Sequence, residues 1–186
     1  MPALAVWTPE DGLLGALAPL GLAAAAPAGS TLVIDLDEAG PRYPGKASLA
    51  GLVEESPRLS DLRPGRPGVA VLRNGGIGAT AASEVVEALI QGWDRTVLRL
   101  PPRRRVVVPV PVVPVRLLIP GRLFAPLDGP VVLQSTPSFA RVAGVGIRLP
   151  VPARSTVAAL LRGESPVPGD RWVKAWRRVW EAPWDR

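Results

Sequence analysis

The sequence contains no cysteine and no histidine, and it has only two lysines, Lys46 and Lys174. Without thiols the chain can form neither disulfides nor cysteine nucleophiles, and without imidazole it has no histidine base. Zinc sites built from cysteine and histidine are excluded for the same reason. Any proton transfer would therefore depend on carboxylates or on one of the two lysines.

The chain also lacks a recognisable export signal. The apolar run LLGALAPLGLAAAA follows Glu10 and Asp11 rather than basic residues, and Pro19 and Gly21 interrupt it. Such a run fits neither a signal peptide nor a membrane-spanning helix, so we expect a cytoplasmic protein. A chain of 186 residues with 47% hydrophobic content is long enough for a single domain, residues 1–186, with its own core.

Charge is distributed unevenly along the chain. Residues 1–95 carry 7 basic and 11 acidic side chains, a net charge of −4, whereas residues 96–186 carry 15 and 5, a net charge of +10. A basic half is typical of proteins with an anionic partner, such as nucleic acid or a membrane surface. A solvated face in a chain rich in arginine explains the same count equally well.

Strand and helix patterns alternate over the first hundred residues. Short runs of β-branched and apolar residues predict strands, and longer stretches rich in alanine and leucine predict helices between them. This alternation indicates an α/β fold with a mostly parallel sheet flanked by helices. The predicted strands are 3–7, 30–37, a strand that begins at Gly68 and 96–100, and the predicted helices are 12–26, 48–55 and 80–91.

Proline is frequent after residue 100. Residues 101–115 contain five prolines, with those at 109, 111 and 114 two or three positions apart, and proline cannot donate a hydrogen bond to a sheet. We expect the middle of this segment to be extended at a sheet edge or in a loop. Three more short strands follow in VRLLIP, PVVLQST and VGIRLP, then a helix from Ser155 and a last helix over residues 170–181.

The stretch WDRTVLRLPP, residues 93–102, contains an unexpected charge. Val97 and Leu98 predict a buried strand, yet Arg99 follows them directly. Asp35 and Asp37 lie at the end of the second predicted strand, and alternate positions place both side chains on one face. The two carboxylates could form an acid–base pair, or they could have a purely structural role.

Several of these stretches together resemble the ParA/MinD family of deviant P-loop ATPases. TLVIDLDEAG is similar to the family strand that ends in D-x-D-x-x-G, with Asp35, Asp37 and Gly40 at the named positions. WDRTVLRLPP resembles the family strand that ends in an aspartate before two prolines. SLAGL, GVAVLRNGG and IRLPVPARSTVAALLRG are similar to further family segments. The resemblance implies a P-loop NTPase-like topology in one compact domain.

The chain departs from the family where nucleotide would bind. The stretch between the first strand and first helix reads TPEDGLLGAL, with Glu10, Asp11, Gly12 and Gly15 but no lysine and no hydroxyl after the last glycine. A phosphate loop needs glycines, a lysine for the phosphates and a hydroxyl for Mg²⁺. Glu10 and Asp11 would repel a polyphosphate instead. We therefore expect a pseudo-ATPase with no cofactor, no metal and no catalytic residues.

Arg99 falls where the resemblance places an acid that supports Mg²⁺. Arginine does not bind metal ions, and its guanidinium does not lose a proton in proteins. We predict that Arg99 fills this position and pairs with Asp35 or Asp37; alternatively, it extends past the sheet edge into solvent. Two other features allow weaker interpretations. The glycines of 74–78 could cradle an anion or form a plain turn, and residues 103–105, RRR, could contact phosphates or lie in a solvated loop.

The C-terminal stretch GDRWVKAWRRVWEAPWDR predicts an amphipathic helix. Its apolar face holds Trp172, Trp176 and Trp180, and its other face holds Arg171, Lys174, Arg177 and Arg178. Tryptophans opposite basic residues are typical of helices at a membrane or partner interface, and MinD-type proteins end in such a helix. Alternatively, the tryptophans pack onto the sheet as an integral part of the domain. We predict an integral helix with part of its tryptophan face left for a partner.

By resemblance, the chain is expected to be an adaptor or scaffold that binds a protein partner or forms a homodimer. Such proteins position division, pilus or secretion machinery, and an anionic membrane surface is a further candidate partner. The alternative is a nucleic-acid-binding module that uses the basic C-terminal half of the chain.

Overall fold

The computed structural model describes residues 3–10, 12–55, 65, 68–102, 106–119, 127–139 and 146–184. Its strands are β1 Ala3–Trp7, β2 Ser30–Asp35, β3 Gly68–Leu72, β4 Arg95–Arg99, β5 Val112–Leu117, β6 Val132–Gln134 and β7 Ile147–Leu149. Its helices are α1 Leu13–Ala24, α2 Leu49–Glu55, α3 Ser83–Gly92, α4 Arg154–Leu161 and α5 Arg171–Glu181, with a short 3₁₀ helix at Pro137–Phe139.

The described strands form one sheet in the order β3-β2-β4-β1-β5-β6-β7, and every neighbouring pair is parallel. This arrangement has a P-loop NTPase-like topology, and it confirms the predicted α/β class in a single compact domain. In a parallel sheet all carboxyl ends meet at one edge, and ligands of such folds bind beside that edge. This edge, referred to below as the carboxyl edge, is where a functional site is expected.

Helices cover both faces of the sheet, so its central strands β1, β2 and β4 are buried on both sides. One core cluster contains Leu4, Val33, Val97 and side chains of α1, α4 and α5. The other contains Ala5, Ile34, Leu98 and side chains of α2 and α3. Successive strand residues alternate between the two clusters, as the period of a strand requires. The first cluster is called the α1 face below.

Residues 106–111, in the middle of the proline-rich segment, belong to no strand, as predicted, whereas the end of the segment enters the sheet. Strand β5 contains Pro114 and lies between β1 and β6, inside the sheet. The amide of Ala5 donates to the carbonyl of Pro111, so the backbone groups of Val113 and Val115 also face β1. The nitrogen of Pro114 faces the opposite side, where β6 begins to pair only at Val115. Proline is tolerated because no ladder hydrogen bond is required at that position.

Other boundaries differ by a few residues. Helix α3 begins at Ser83 rather than Thr80, and no side chain caps its first turn. The three arginines at 103–105 lie outside the described residues. No helix within the described ranges has both the length and the apolar character that crossing a membrane requires.

Candidate functional site

Arg99 ends β4 at the carboxyl edge, directly beside Asp35 of β2 in the strand register. Its guanidinium contacts both carboxylates: Nη1 lies 3.2 Å from Oδ2 of Asp35, and Nη2 lies 2.7 Å from Oδ2 of Asp37. All three residues are buried, and Arg99 is only 2% exposed. The predicted pairing is confirmed with both aspartates, and Arg99 does not reach the solvent.

The loop after β2 encloses the rest of the guanidinium. Nη1 of Arg99 also donates to the carbonyl of Pro41 at 2.6 Å, and its Cζ lies 5.2 Å from the ring centre of Tyr43. That distance is within the range of a cation–π contact. The Tyr43 hydroxyl in turn donates to the carbonyl of Ala16 at 2.7 Å. The charged cluster is thereby connected to the first turns of α1.

Backbone amides hold the two carboxylates in place. Oδ1 of Asp35 accepts from the amide of Asp37 at 3.0 Å. Oδ1 of Asp37 accepts from the amide of Gly40 at 3.1 Å, as an aspartate does in a tight turn. With one oxygen on the loop and the other on Arg99, each carboxylate is fully engaged, which favours the structural interpretation over an acid–base pair.

Gly40 has a steric role in this arrangement. A Cβ on Gly40 would overlap both Oδ2 of Asp37 and Nη2 of Arg99. These atoms form a buried ion pair, so they have little freedom to move aside. The φ angle of Gly40 is not positive, so the backbone does not demand a glycine. The packed guanidinium is what requires a residue without a side chain at this position.

The cluster holds two carboxylates and one guanidinium. Burial raises the pKa of Asp35 to about 6, and the nearby Asp37 carboxylate acts in the same direction, while Arg99 and the backbone amide of Asp37 lower it. Burial likewise raises the pKa of the Tyr43 hydroxyl above its usual range. The Asp35 carboxyl therefore takes up a proton at about pH 6, well above the range of an ordinary aspartate.

The loop between β1 and α1 is also occupied by an internal ion pair. Oε1 of Glu10 lies 2.6 Å from Nη2 and 2.8 Å from Nε of Arg116, which β5 contributes. Gly12 precedes α1 with φ 114°, and a Cβ on Gly15 would come within 2.9 Å of the Thr8 hydroxyl. Asp11 lies outside the described residues. Sequence reasoning missed Arg116, because 106 residues separate it from its partner.

The glycine stretch at 74–78 forms a plain turn. The Asn74 side chain accepts from the amides of Gly76 and Ile77 at 2.7 and 2.9 Å and donates to the carbonyl of Ile77 at 2.9 Å. It also donates to the carbonyl of Asp35 at 3.3 Å. These contacts connect the ends of β3 and β2, and they already use the amides of Gly76 and Ile77, two of those that could have held an anion.

A cleft of about 770 Å³ opens beside this cluster, and no sequence pattern predicted it. The loop after β2 forms one wall, the residues before α3 form another, and Pro101, Pro102, Val106 and Val107 form a third. No lysine or arginine is among the described residues that line it. The proline and valine wall of the cleft offers apolar contact surface.

The C-terminal helix is an integral part of the domain. Trp172 and Trp176 of α5 are buried on the α1 face and pack edge to face, with ring centres 5.6 Å apart. Nε1 of Trp172 donates to Gln134 at 2.6 Å, and Nε1 of Trp180 donates to the carbonyl of Leu22 at 2.9 Å. Asp170 caps the helix through the amide of Val173. The predicted integral helix is confirmed.

The interaction face predicted for this helix needs a correction. Trp172 and Trp176 cannot contact a partner or lipid, because they are 2% and 0% exposed. They insert beside Gly21 of α1, where a Cβ would overlap the Trp172 ring. Trp180 is half-buried, so only a small part of the tryptophan face stays accessible. The basic residues of the predicted face are exposed: Arg171, Lys174, Arg177 and Arg178.

The aspartates and glutamates of the described residues form no group of three that could hold a metal ion. The sequence matches no protein-family model, and a search of curated proteins finds no significant match.

Proposed function

We propose that this chain is a non-catalytic ParA/MinD-like adaptor or scaffold, a pseudo-ATPase that binds a protein partner or a second copy of itself without nucleotide. By resemblance to its family, its place is in positioning division, pilus or secretion machinery. The observation that carries the proposal is the buried cluster of Arg99 with Asp35 and Asp37.

The cluster supports this proposal through charge and space. A metal–nucleotide site at the carboxyl edge needs free carboxylates for Mg²⁺ and cations for the phosphates. Both aspartates are paired with Arg99, and Glu10 places a carboxylate, paired with Arg116, in the loop that would have to hold phosphate. Releasing Arg99 or either aspartate would leave a buried charge without its partner, which costs several kcal/mol.

Calorimetry with ATP and Mg²⁺ tests the proposal. Titration of millimolar nucleotide into the protein should produce no saturable heat, and the melting temperature should not rise when nucleotide is present. Saturable binding with a micromolar dissociation constant would refute the pseudo-ATPase proposal.

The basic face of α5 supports a second candidate, a nucleic-acid-binding module. The side chains of Arg171, Lys174, Arg177 and Arg178 are exposed on one helix. Within the described residues none of the four makes an ion pair or a side-chain hydrogen bond. A row of unpaired cations on a rigid helix is suited to phosphate groups along a nucleic-acid backbone.

Salt dependence distinguishes this candidate from the adaptor. If the face binds duplex DNA, the fluorescence anisotropy of a labelled duplex should rise with protein concentration, and the affinity should fall steeply as salt is added. The double variant R177E/R178E should reduce the slope of log K against log salt by about 2. R154E, on the exposed start of α4, is the matched control. Equal binding by both variants would exclude the α5 face.

A further inference from the structure

The two edge strands of the sheet differ in how they are protected. Strand β7 has three residues, and Arg148 is at its centre. Short length and a central charge both discourage the pairing of an edge with another chain. Strand β3, at the other edge, has five residues, GVAVL, with no charge and no proline. Val69 within it is 50% exposed. Among the described residues nothing pairs with this edge, and an edge of this kind is a surface on which another strand can pair.

The register of β3 identifies the backbone groups that are open. The amide of Gly68 donates to the carbonyl of Gly29 on the β2 side. Because backbone direction alternates along a strand, Ala70 and Leu72 also face β2, and Val69 and Val71 present their N–H and C=O groups outward. No described residue forms a hydrogen bond with these outward groups.

The open stretch ends at Arg73. Ser48 forms a parallel bridge with Arg73, and the amide of Leu49 donates to the Arg73 carbonyl at 2.8 Å. The chain therefore covers its own edge from residue 73 onward. An added strand can use only the outward groups of Val69 and Val71.

We propose that this edge of β3 binds β3 of a second copy of the chain, in an antiparallel pair about a two-fold axis. With Ala70 opposite Ala70 of the other copy, Val69 of each copy lies opposite Val71 of the other. Both members of each valine pair face the partner, so each pair exchanges both hydrogen bonds. The stretch Val69–Val71 is self-complementary and uncharged, which is what an isologous contact requires.

The proposal specifies the self-binding part of the adaptor function, and it is independent of whether the chain binds nucleotide. Two short strands form a contact at the small end of protein–protein interfaces, so we expect a weak dimer that dissociates on dilution. Sedimentation velocity over a wide concentration range should show this equilibrium.

Hydrogen exchange followed by NMR tests the geometry in the unmodified protein. The amides of Ala70 and Leu72 should be protected at every concentration, because they face β2. The amides of Val69 and Val71 should exchange rapidly at low concentration and slow by about tenfold or more when most of the protein is dimeric. A chain that is monomeric at every concentration, or a dimer in which these two amides stay unprotected, would overturn the proposal.

Paired substitutions give a second test. V69K places a charge on the exposed side of the edge, and V107K places the same charge on a valine that is 99% exposed elsewhere. V69K should weaken self-association by about tenfold or more, and V107K should leave it unchanged. Equal weakening by both variants, or by neither, would also count against β3 as the contact. The calorimetric result with ATP would be unaffected in every case.

Discussion

Two buried clusters on the α1 face of the sheet differ in what holds them together. At the carboxyl edge, Arg99 contacts two carboxylates, a carbonyl and an aromatic ring. Under α5, Trp172 and Trp176 are held by packing against α1 and against each other. Each cluster encloses a glycine, Gly40 or Gly21, whose Cβ would overlap its neighbours. The stability of the charge cluster depends on the balance of its charges, and that of the tryptophan cluster depends on how completely its volume is filled.

Removing the whole tryptophan cluster is expected to have the largest effect. A chain that ends at Gly169 loses Trp172, Trp176 and Trp184 from the core and exposes the apolar side of α1. Loss of that much buried area exceeds the usual stability of a domain. Thermal unfolding followed by circular dichroism should show no cooperative transition. A truncated chain that melts like the full-length protein would show that α5 is peripheral.

Breaking the charge cluster is expected to have the next largest effect. R99A leaves two buried carboxylates without a cation, so the free energy of unfolding should fall by about 3–5 kcal/mol in urea denaturation. Adding D35N and D37N to R99A should restore part of this loss, because the uncompensated charges are then removed. R162A is the control, since Arg162 and Glu164 form an exposed pair. Equal effects of R99A and R162A would contradict the importance of burial.

Overfilling the tryptophan cluster is expected to have a smaller effect. G21A places a methyl group where the Trp172 ring lies, and such overpacking costs about 1–3 kcal/mol. G51A, in helix α2, is the matched control, because its nearest neighbour is the Ser48 hydroxyl at 3.3 Å. That substitution should destabilise the protein less than G21A does, because a single side-chain atom lies near the added methyl group and none overlaps it. If G21A were as harmless as G51A, the contact between α1 and α5 would have to be looser than described.

The smallest expected effect is a change of stability with pH. Of the two clusters, only the charge cluster should contribute to it. The pKa of Asp35 is about 6 in the folded state, above its ordinary value of 3.8. The folded state therefore binds the proton more tightly, and this contribution to stability is complete below about pH 4 and is lost as pH rises through about 6. Urea midpoints measured from pH 4 to 7 should fall through this window.

The variant D35N supplies the control for that titration. An amide does not ionise over this range, so the midpoints of D35N should depend less on pH than those of the natural sequence. G21A should keep the pH dependence unchanged, because the tryptophan cluster contains no titrating group. If D35N and the natural sequence had parallel pH profiles, Asp35 would not be the titrating group.

The sequence predicted the elements that depend on local pattern, and it failed where distant parts of the chain meet. The alternating apolar runs indicated the parallel sheet. The pairing of Arg99 with Asp35 and Asp37 could be predicted because all three lie at or just after the carboxyl end of a strand. The position of Pro114 inside the sheet could not be predicted, because a proline is tolerated there only owing to the point at which β6 begins to pair with β5. The contact of Arg116 with Glu10 has no local signal in the sequence.

The C-terminal helix shows the same limit. Its amphipathic pattern fixes which residues share a face, but the pattern is identical whether that face meets lipid, a partner or the protein's own core. The deciding feature is Gly21, 151 positions before Trp172, which leaves room for the indole ring. A glycine within a helix has no such meaning until its neighbour in space is known.

The close contact between Gly40 and Arg99 has a consequence for the divergence of this sequence. Neither residue can change first without harm: a side chain at position 40 collides with the guanidinium, and a smaller residue at 99 leaves the aspartates unpaired. Descendants of this chain should therefore keep both residues or lose both together. Joint retention of these two residues across relatives would mark the lineages in which the charge cluster persists, and joint replacement would mark those that have lost it.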